Sequence, residues 1–252
     1  MPHPPLTWLE PGDPFPALNS AWPPNSEAPG LLAAGGGLDV ARLVAAYSQG
    51  IFPWYSQGQP LLWWSPDPRM VLQTRHFKLH HSLRKTLRHF LSRPDCEIRF
   101  NSCFERVIAH CADTGRRRQN GTWILPEMLA AYCGLHRAGY AHSVETWVDG
   151  RLQGGLYCVG IGRAVFGESM FALQTDASKL ALAALVGFCR AQGISHIDCQ
   201  QSTRHLAFMG AREMPRSDFV AQVQQASMQA PPNWQFASLY WSHILEPGRT
   251  VP

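Results

Sequence analysis

The sequence predicts an α+β protein: a small N-terminal domain, residues 1–74, and a larger domain, residues 75–252, whose mainly antiparallel sheet is flanked by helices. Three observations carry this. Apolar residues at helical spacing recur between Asp39 and Arg137, alternation with tight turns runs from Tyr140 to Glu168, and a long apolar helix, a short strand and further helices follow. With 252 residues, 45% hydrophobic and 16% charged, the chain can bury a proper core and is not of disordered composition. No internal period points to a repeat fold.

Residues 1–30 are rich in Pro and lack periodicity, so a loosely ordered extension is expected there. Val40, Leu43, Val44 and Tyr47 then fall at i, i+3, i+4 and i+7 between a capping Asp39 and Gly50, which makes a short amphipathic helix. The aromatic stretches 51–55 and 62–69 hold too many prolines for regular structure. They are expected to keep their shape by packing tryptophans, and the small domain ends near Thr74. Residues 80–90 form a helix with Leu83 and Leu87 inward and Arg84, Lys85 and Arg88 outward. A second helix starts at Asn101 with Phe104, Val107, Ile108 and Cys111 on one face, and a third runs from Pro126 to just before Gly139. Residues 140–148 alternate, Asp149-Gly150 is a hairpin turn, residues 152–160 return, and Gly162-Arg163 leads into a short strand closed by Glu168. A helix over 177–192 stopped by Gly193, a strand over 194–199 and helices over 205–209 and 217–225 complete the pattern. Beyond Ala230 an irregular tail is expected.

The formal charge is only +4, yet residues 75–93 carry six Lys or Arg, four His and no acid, and Arg116, Arg117 and Arg118 add a second cluster. An acid-free stretch of that length fits a polyanion partner better than a solvated helix face. Seven cysteines, an odd number with no CxxC pair and no opening signal peptide, are expected to be free thiols of a cytosolic protein. The spacing of Cys103, His110 and Cys111 matches no zinc site, so no metal is expected. The longest apolar run, residues 180–189, is about half a membrane span and reads as a core helix.

Six motifs carry more: Gly50-Ile51-Phe52-Pro53-Trp54-Tyr55, Trp63-Trp64-Ser65-Pro66-Asp67-Pro68-Arg69, Gly121-Thr122-Trp123-Ile124, Gly167-Glu168-Ser169-Met170-Phe171, Ala177-Ser178-Lys179 and Ile197-Asp198-Cys199-Gln200. In this order, over roughly residues 30–220, they resemble the leucyl/phenylalanyl-tRNA–protein transferase family. The resemblance implies an N-acetyltransferase-like catalytic domain behind the small domain. It implies transfer of Leu or Phe, less readily Met, from charged tRNA to the α-amino group of an N-terminal Arg or Lys, marking the acceptor for degradation. With it goes the expectation of a cytoplasmic monomer that needs no cofactor, aminoacyl-tRNA being the donor substrate.

The residues themselves speak to this chemistry. Acetyltransferases of this kind hold the coenzyme A pyrophosphate in a Gly-rich turn. Here that junction, Ala172-Leu173-Gln174-Thr175-Asp176-Ala177, has no glycine, which disfavours coenzyme A. An α-amino group with a pKa of about 7.7–8.0 is partly neutral at cellular pH, so positioning it against an activated ester supplies most of the rate. Asp198 and Gln200, two apart on a strand, point to the same face. By resemblance they are the catalytic pair, with Asp198 orienting Gln200 and Gln200 holding or polarising the amine. A cationic acceptor side chain needs an acid, and Glu168 and Asp198 are the candidates; the sequence does not apportion binding and catalysis between them. Taken alone, Asp198 and Gln200 would finish hydrogen bonds at a strand end, and Glu168 would bond to turn backbone.

By resemblance, Leu156, Met170 and Ile197 match positions lining the aminoacyl pocket, backed by Leu182 and Leu185; without it all five read as core. The flexible Met170 thioether suits a pocket for both Leu and Phe. Trp54 and Trp123 match aromatic residues around the 3′-terminal adenosine of the tRNA, where stacking is worth about 1–3 kcal/mol, while Trp63 and Trp64 read as structural. Arg84, Lys85 and Arg88 are expected to meet tRNA phosphates, from charge pattern rather than motif. The chain departs from the family pattern at Gly35-Gly36-Gly37-Leu38, in an apparent insertion at Ser26-Glu27-Ala28-Pro29 and at Ala172, none of which touches the catalytic pair. Two rivals are an acyltransferase with a small thioester donor and a non-catalytic RNA-binding module. The second leaves the grouping of Glu168, Asp198 and Gln200 unexplained.

Overall fold

A computed structural model describes residues 4–118 and 124–245, with 114–118 described by their backbone alone. The described part of the Pro-rich N-terminal stretch, residues 4–30, is ordered, contrary to expectation. Its strand Thr7–Leu9 (β1) pairs in parallel with Leu31–Gly35 (β2). Apolar residues without a period still find partners there: Leu9 is buried, and Phe15 meets Trp63 edge to face at 4.9 Å. The helix Val40–Tyr47 (α1) follows, and its cap Asp39 accepts the Arg42 amide at 2.9 Å. Phe52–Pro53 (β3) and Leu62–Trp64 (β4) complete a four-stranded sheet in the order β1-β2-β4-β3. Trp63 and Trp64 are structural as read, since their buried indoles donate to the carbonyls of Gly35 at 2.9 Å and Trp54 at 2.6 Å.

The next strand, Arg69–Gln73 (β5), belongs to the larger sheet, so the two sheets part before residue 69 rather than at Thr74. His81–Leu91 (α2) buries Leu83, Leu87 and Phe90. An unexpected edge strand, Cys96–Phe100 (β6), comes before Phe104–Arg118 (α3) and Pro126–Arg137 (α4). Asn101 is no helix start; its left-handed φ of 57° turns the chain out of β6. The meander is Ala141–Val148 (β7), Arg151–Ile161 (β8) and Ala164–Ala172 (β9), with Asp149 and Gly150 at the hairpin turn, both at positive φ. Ala177–Ala191 (α5), His196–Gln200 (β10), Arg204–Phe208 (α6), a second unexpected strand Arg212–Met214 (β11) and Arg216–Ser227 (α7) follow. Among the described residues the tail beyond Ala230 is irregular up to 237 and then holds the short helix Ser242–Leu245 (α8), and Trp234, Trp241 and Ile244 are buried in the apolar layer that contains α5.

The larger sheet runs β11-β5-β10-β9-β8-β7-β6, and among the described residues its only parallel pair is β9–β10. Tyr157, Val159 and Phe166 face a layer that includes Tyr47, Phe104, Tyr132 and Phe219. Leu156, Val165 and Ile197 face the other layer, with Leu87, Leu182 and Leu185. This mixed architecture is the predicted fold class. The seven cysteines are free thiols, and among the described residues no helix is long and apolar enough to cross a membrane.

Candidate active site

The candidate site lies where β9 and β10 part. Their parallel pairing covers only Val165–Ile197 and Phe166–Asp198, and both strands then bulge. On β9, Gly167 faces Cys158 and Ser169 faces Tyr157, which leaves Glu168 as the extra residue. On β10, Asp198 faces Val71 and Gln200 faces Met70, which leaves Cys199 extra. A bulge re-aims the side chains that follow it. Glu168 therefore sits mid-strand rather than at a strand end. Gln200 is set not by simple two-residue alternation but by the bulge and its own left-handed φ of 60°.

The side chains meet there. The Gln200 amide nitrogen donates to Glu168 Oε1 at 2.9 Å. Tyr47 from α1 donates to Glu168 Oε1 at 2.8 Å, and Tyr132 from α4 donates to Oε2 at 3.1 Å. Burial of this carboxyl pushes its pKa up to about 7; the two tyrosines and Arg69 pull it down, and Asp198 adds a smaller upward push. Asp198 is buried and accepts from Arg69 Nε at 2.8 Å and Nη2 at 2.7 Å, while its Oδ1 also accepts the Gln200 backbone amide at 2.9 Å. It meets Gln200 through that residue's backbone amide. Its carboxylate, however, is committed to Arg69, while Glu168 lines the cavity that also holds Gln200.

A cavity of about 270 Å³ opens beside the pair, lined among others by Phe52, Trp54, Glu168, Cys199, Gln200 and Leu206. A second cavity, about 290 Å³, touches Asp198 from behind with Arg163, His196, Phe219 and Gln222, but reaches neither Glu168 nor Gln200. Size does not choose between them; the placement of the titratable carboxyl does. Among the described residues no three His, Cys, Asp or Glu side chains are arranged to hold a metal.

A family model described as leucyl/phenylalanyl-tRNA protein transferase matches residues 71–224, and one for the N-terminal domain of that transferase matches residues 36–67. The chain is 64% identical to the leucyl/phenylalanyl-tRNA–protein transferase of Polaromonas sp., over 96% of this chain and 94% of that protein. It is 59% identical to the enzyme of that name from Albidiferax ferrireducens, over 97% and 96%. The chain belongs to the leucyl/phenylalanyl-tRNA–protein transferase family. It is thereby an aminoacyltransferase. Among solved structures it is similar to an aminoglycoside N-acetyltransferase at a TM-score of 0.31 and 15% identity, over 55% of this chain and 90% of that one.

The expected residues of a transferase of this family fall into three groups. Glu168, Gln200 and Trp54 share the cavity, and Trp54 keeps 36% of its surface exposed while meeting Trp64 edge to face at 5.5 Å. Leu156 and Met170 are direct partners across β8 and β9, and with Leu182, Leu185 and Ile197 they pack into the apolar layer around α5. The β9 bulge thus puts Met170 and Glu168 on opposite faces of the sheet, so the apolar set and the carboxyl meet only at the gap between β9 and β10. On α2, Lys85 and Arg88 are exposed as expected, but Arg84 is half-buried and donates to the Leu245 carbonyl at 3.2 Å, which ties it to the tail. Trp123 lies outside the described residues, and the side chains of Arg116, Arg117 and Arg118 are likewise not described.

Sequence reasoning missed Tyr47, Tyr132 and Arg69 as site residues. Arg69 had a signal, since it ends the Trp-Trp-Ser-Pro-Asp-Pro-Arg motif. Tyr47 was read only as one apolar position of a helix, and Tyr132 carried no signal at all.

Proposed function

We infer that this chain moves Leu or Phe, and less readily Met, from charged tRNA to the α-amino group of proteins beginning with Arg or Lys, marking them for degradation. The observation that carries the reading is the half-buried Glu168 carboxyl bonded to Gln200 at the edge of a cavity rimmed by Trp54. Ionised Glu168 pairs with the cationic acceptor and takes a proton from its ammonium group. With its Nε2 turned to Glu168, Gln200 has its amide oxygen free to accept from the amine and aim it. The neutral amine attacks the ester carbonyl, the bond to the 3′-oxygen breaks, and that oxygen leaves with a proton. Leu156, Met170 and Ile197, backed by Leu182 and Leu185, hold the donor side chain. Trp54 and Trp123 stack the terminal adenosine, and Lys85 and Arg88 of α2, with a lesser part for Arg84, meet tRNA phosphates.

Aminoacyl-tRNA is the donor and no cofactor takes part. Support comes from the entry to α5, where a pyrophosphate would need to lie. Asp176 stands there at a φ of 65°, and its carboxylate already occupies the helix entry and engages Lys179 at 2.7 Å and Thr86 at 3.3 Å. The chain acts as a monomer in the cytoplasm. The deciding assay offers labelled Leu-tRNA with peptides beginning in Arg, Lys or acetyl-Arg. Product from the first two alone, abolished by ribonuclease treatment of the donor, is the expected result; product from acetyl-Arg, or transfer that survives the ribonuclease, refutes the reading.

A further inference from the structure

We propose that Arg69 is a positioning residue of the transferase site, holding Gln200 and Tyr47 in place on either side of Glu168. Arg69 touches neither. It acts through two neighbours, Asp198 and Gly50. Toward β10, its Nε and Nη2 grip both oxygens of Asp198, and Asp198 Oδ1 accepts the Gln200 amide at 2.9 Å. That amide belongs to the residue with a φ of 60°, a conformation a side-chain-bearing residue keeps only when its surroundings enforce it. Toward the small sheet, Arg69 Nη1 donates to the Gly50 carbonyl at 3.1 Å, just past the end of α1, the helix that presents Tyr47 to Glu168. One guanidinium thus closes a ring: Asp198, Gln200, Glu168, Tyr47, Gly50 and back.

The guanidinium is itself immobilised. It is fully buried, with its carbon 4.7 Å from the Phe52 ring centre and 4.6 Å from that of Phe219. Stability alone does not account for the arrangement. A buried ion pair gains little over well-packed apolar residues of the same volume, because desolvation offsets the attraction. What an apolar pair lacks is an acceptor for the Gln200 amide and the guanidinium donor that joins Ser65 Oγ on the Gly50 carbonyl. Lysine also fails here, since its donors radiate from one nitrogen and do not fork across a carboxylate and a third carbonyl.

The inference rests on the transferase reading, so its test joins kinetics to a readout that needs no turnover. In Arg69→Lys, kcat for Leu transfer from Leu-tRNA to an Arg-peptide is expected to fall about tenfold or more, with KM for Leu-tRNA within about threefold of the parent. In the same variant the Gln200 backbone amide, followed by NMR-detected hydrogen exchange, should lose protection. Phe219→Leu keeps every donor of Arg69 but removes one enclosing ring, and should lower kcat in the same direction by a smaller factor. A kcat near that of the parent in Arg69→Lys, a loss confined to KM, or an unchanged Gln200 amide each overturns the proposal. Should the parent chain transfer nothing from Leu-tRNA, the transferase reading falls, and the exchange measurement still decides whether Arg69 holds the bulge.

Discussion

At Glu168, the carboxyl and the hydroxyls of Tyr47 and Tyr132 make three close contacts: 2.5 Å between the hydroxyls, and 2.8 and 3.1 Å to the carboxyl. Satisfying all three takes three protons, and the phenols supply two. An ionised carboxylate leaves one contact without a hydrogen; burial raises the pKa to about 7 against the downward pull of both tyrosines. If, as proposed, the ionised form pairs with the acceptor, kcat/KM for the peptide climbs as pH passes about 7. Tyr132→Phe removes a donor that favours the charged form, so the climb should move to higher pH; a limb that stays put or moves down refutes this role for Glu168. The sequence made Glu168, Asp198 and Gln200 legible through their motifs. It hid Tyr47 and Tyr132 because a hydroxyl inside an apolar helix face has no periodic signature, and only the fold brings α1 and α4 together over β9.

At the scale of elements, the meander and the helices were legible because alternation and helical spacing are local properties. The bulges were not, since an extra residue shows only against the partner strand. The edge strands β6 and β11 were missed for a related reason: they are short, and charged residues such as Glu97, Arg99, Arg212 and Glu213 break their apolar character. Glu145 on β7 illustrates how tightly these elements are fastened. This fully buried carboxylate accepts the amides of Ser102 and Cys103 at 2.9 Å each, Ser143 Oγ at 2.8 Å and the Trp147 indole at 3.0 Å, with Ser102 Oγ in addition. The two amides lie at the entry to α3 and have no helical acceptor of their own. Glu145→Ala leaves all these donors unpaired and should lower the unfolding free energy by about 3 kcal/mol or more in urea titration; a loss below about 1 kcal/mol would show that the network is dispensable.

His142, also on β7, stacks on Trp234 of the tail at 3.9 Å, and burial drives its pKa down to about 3. The unfolded chain takes up a proton near pH 6.5 that the folded chain refuses. The stability this histidine permits is therefore complete above pH 6.5 and lost as pH falls toward 3. Glu168 pulls the other way: raised to about 7 when folded, it binds its proton more tightly in the native state and favours folding as pH drops between about 4.5 and 7. The readout is the difference between parent and His142→Phe, since both carry Glu168. The variant should gain on the parent steadily in melting temperature from pH 6.5 down to 4.5. A constant difference across that range would mean His142 does not titrate with unfolding.

Over the whole molecule, the small sheet and the larger sheet make the site jointly. Phe52 and Trp54 come from the first, Glu168 and Gln200 from the second, and Arg69 spans the junction. The break between β9 and β10 joins the two apolar layers, one bearing Tyr47 and Tyr132, the other Leu156, Leu182, Leu185 and Ile197. A donor residue seated in the second layer and an acceptor amine held from the first would meet across that break, next to Gln200. The measurement that bears most directly on this arrangement is single-turnover transfer of labelled Leu from Leu-tRNA to an Arg-peptide by Glu168→Gln, with tRNA affinity measured alongside. A rate loss on the order of 100-fold or more at unchanged tRNA affinity is predicted. Transfer within about threefold of the parent would contradict the account.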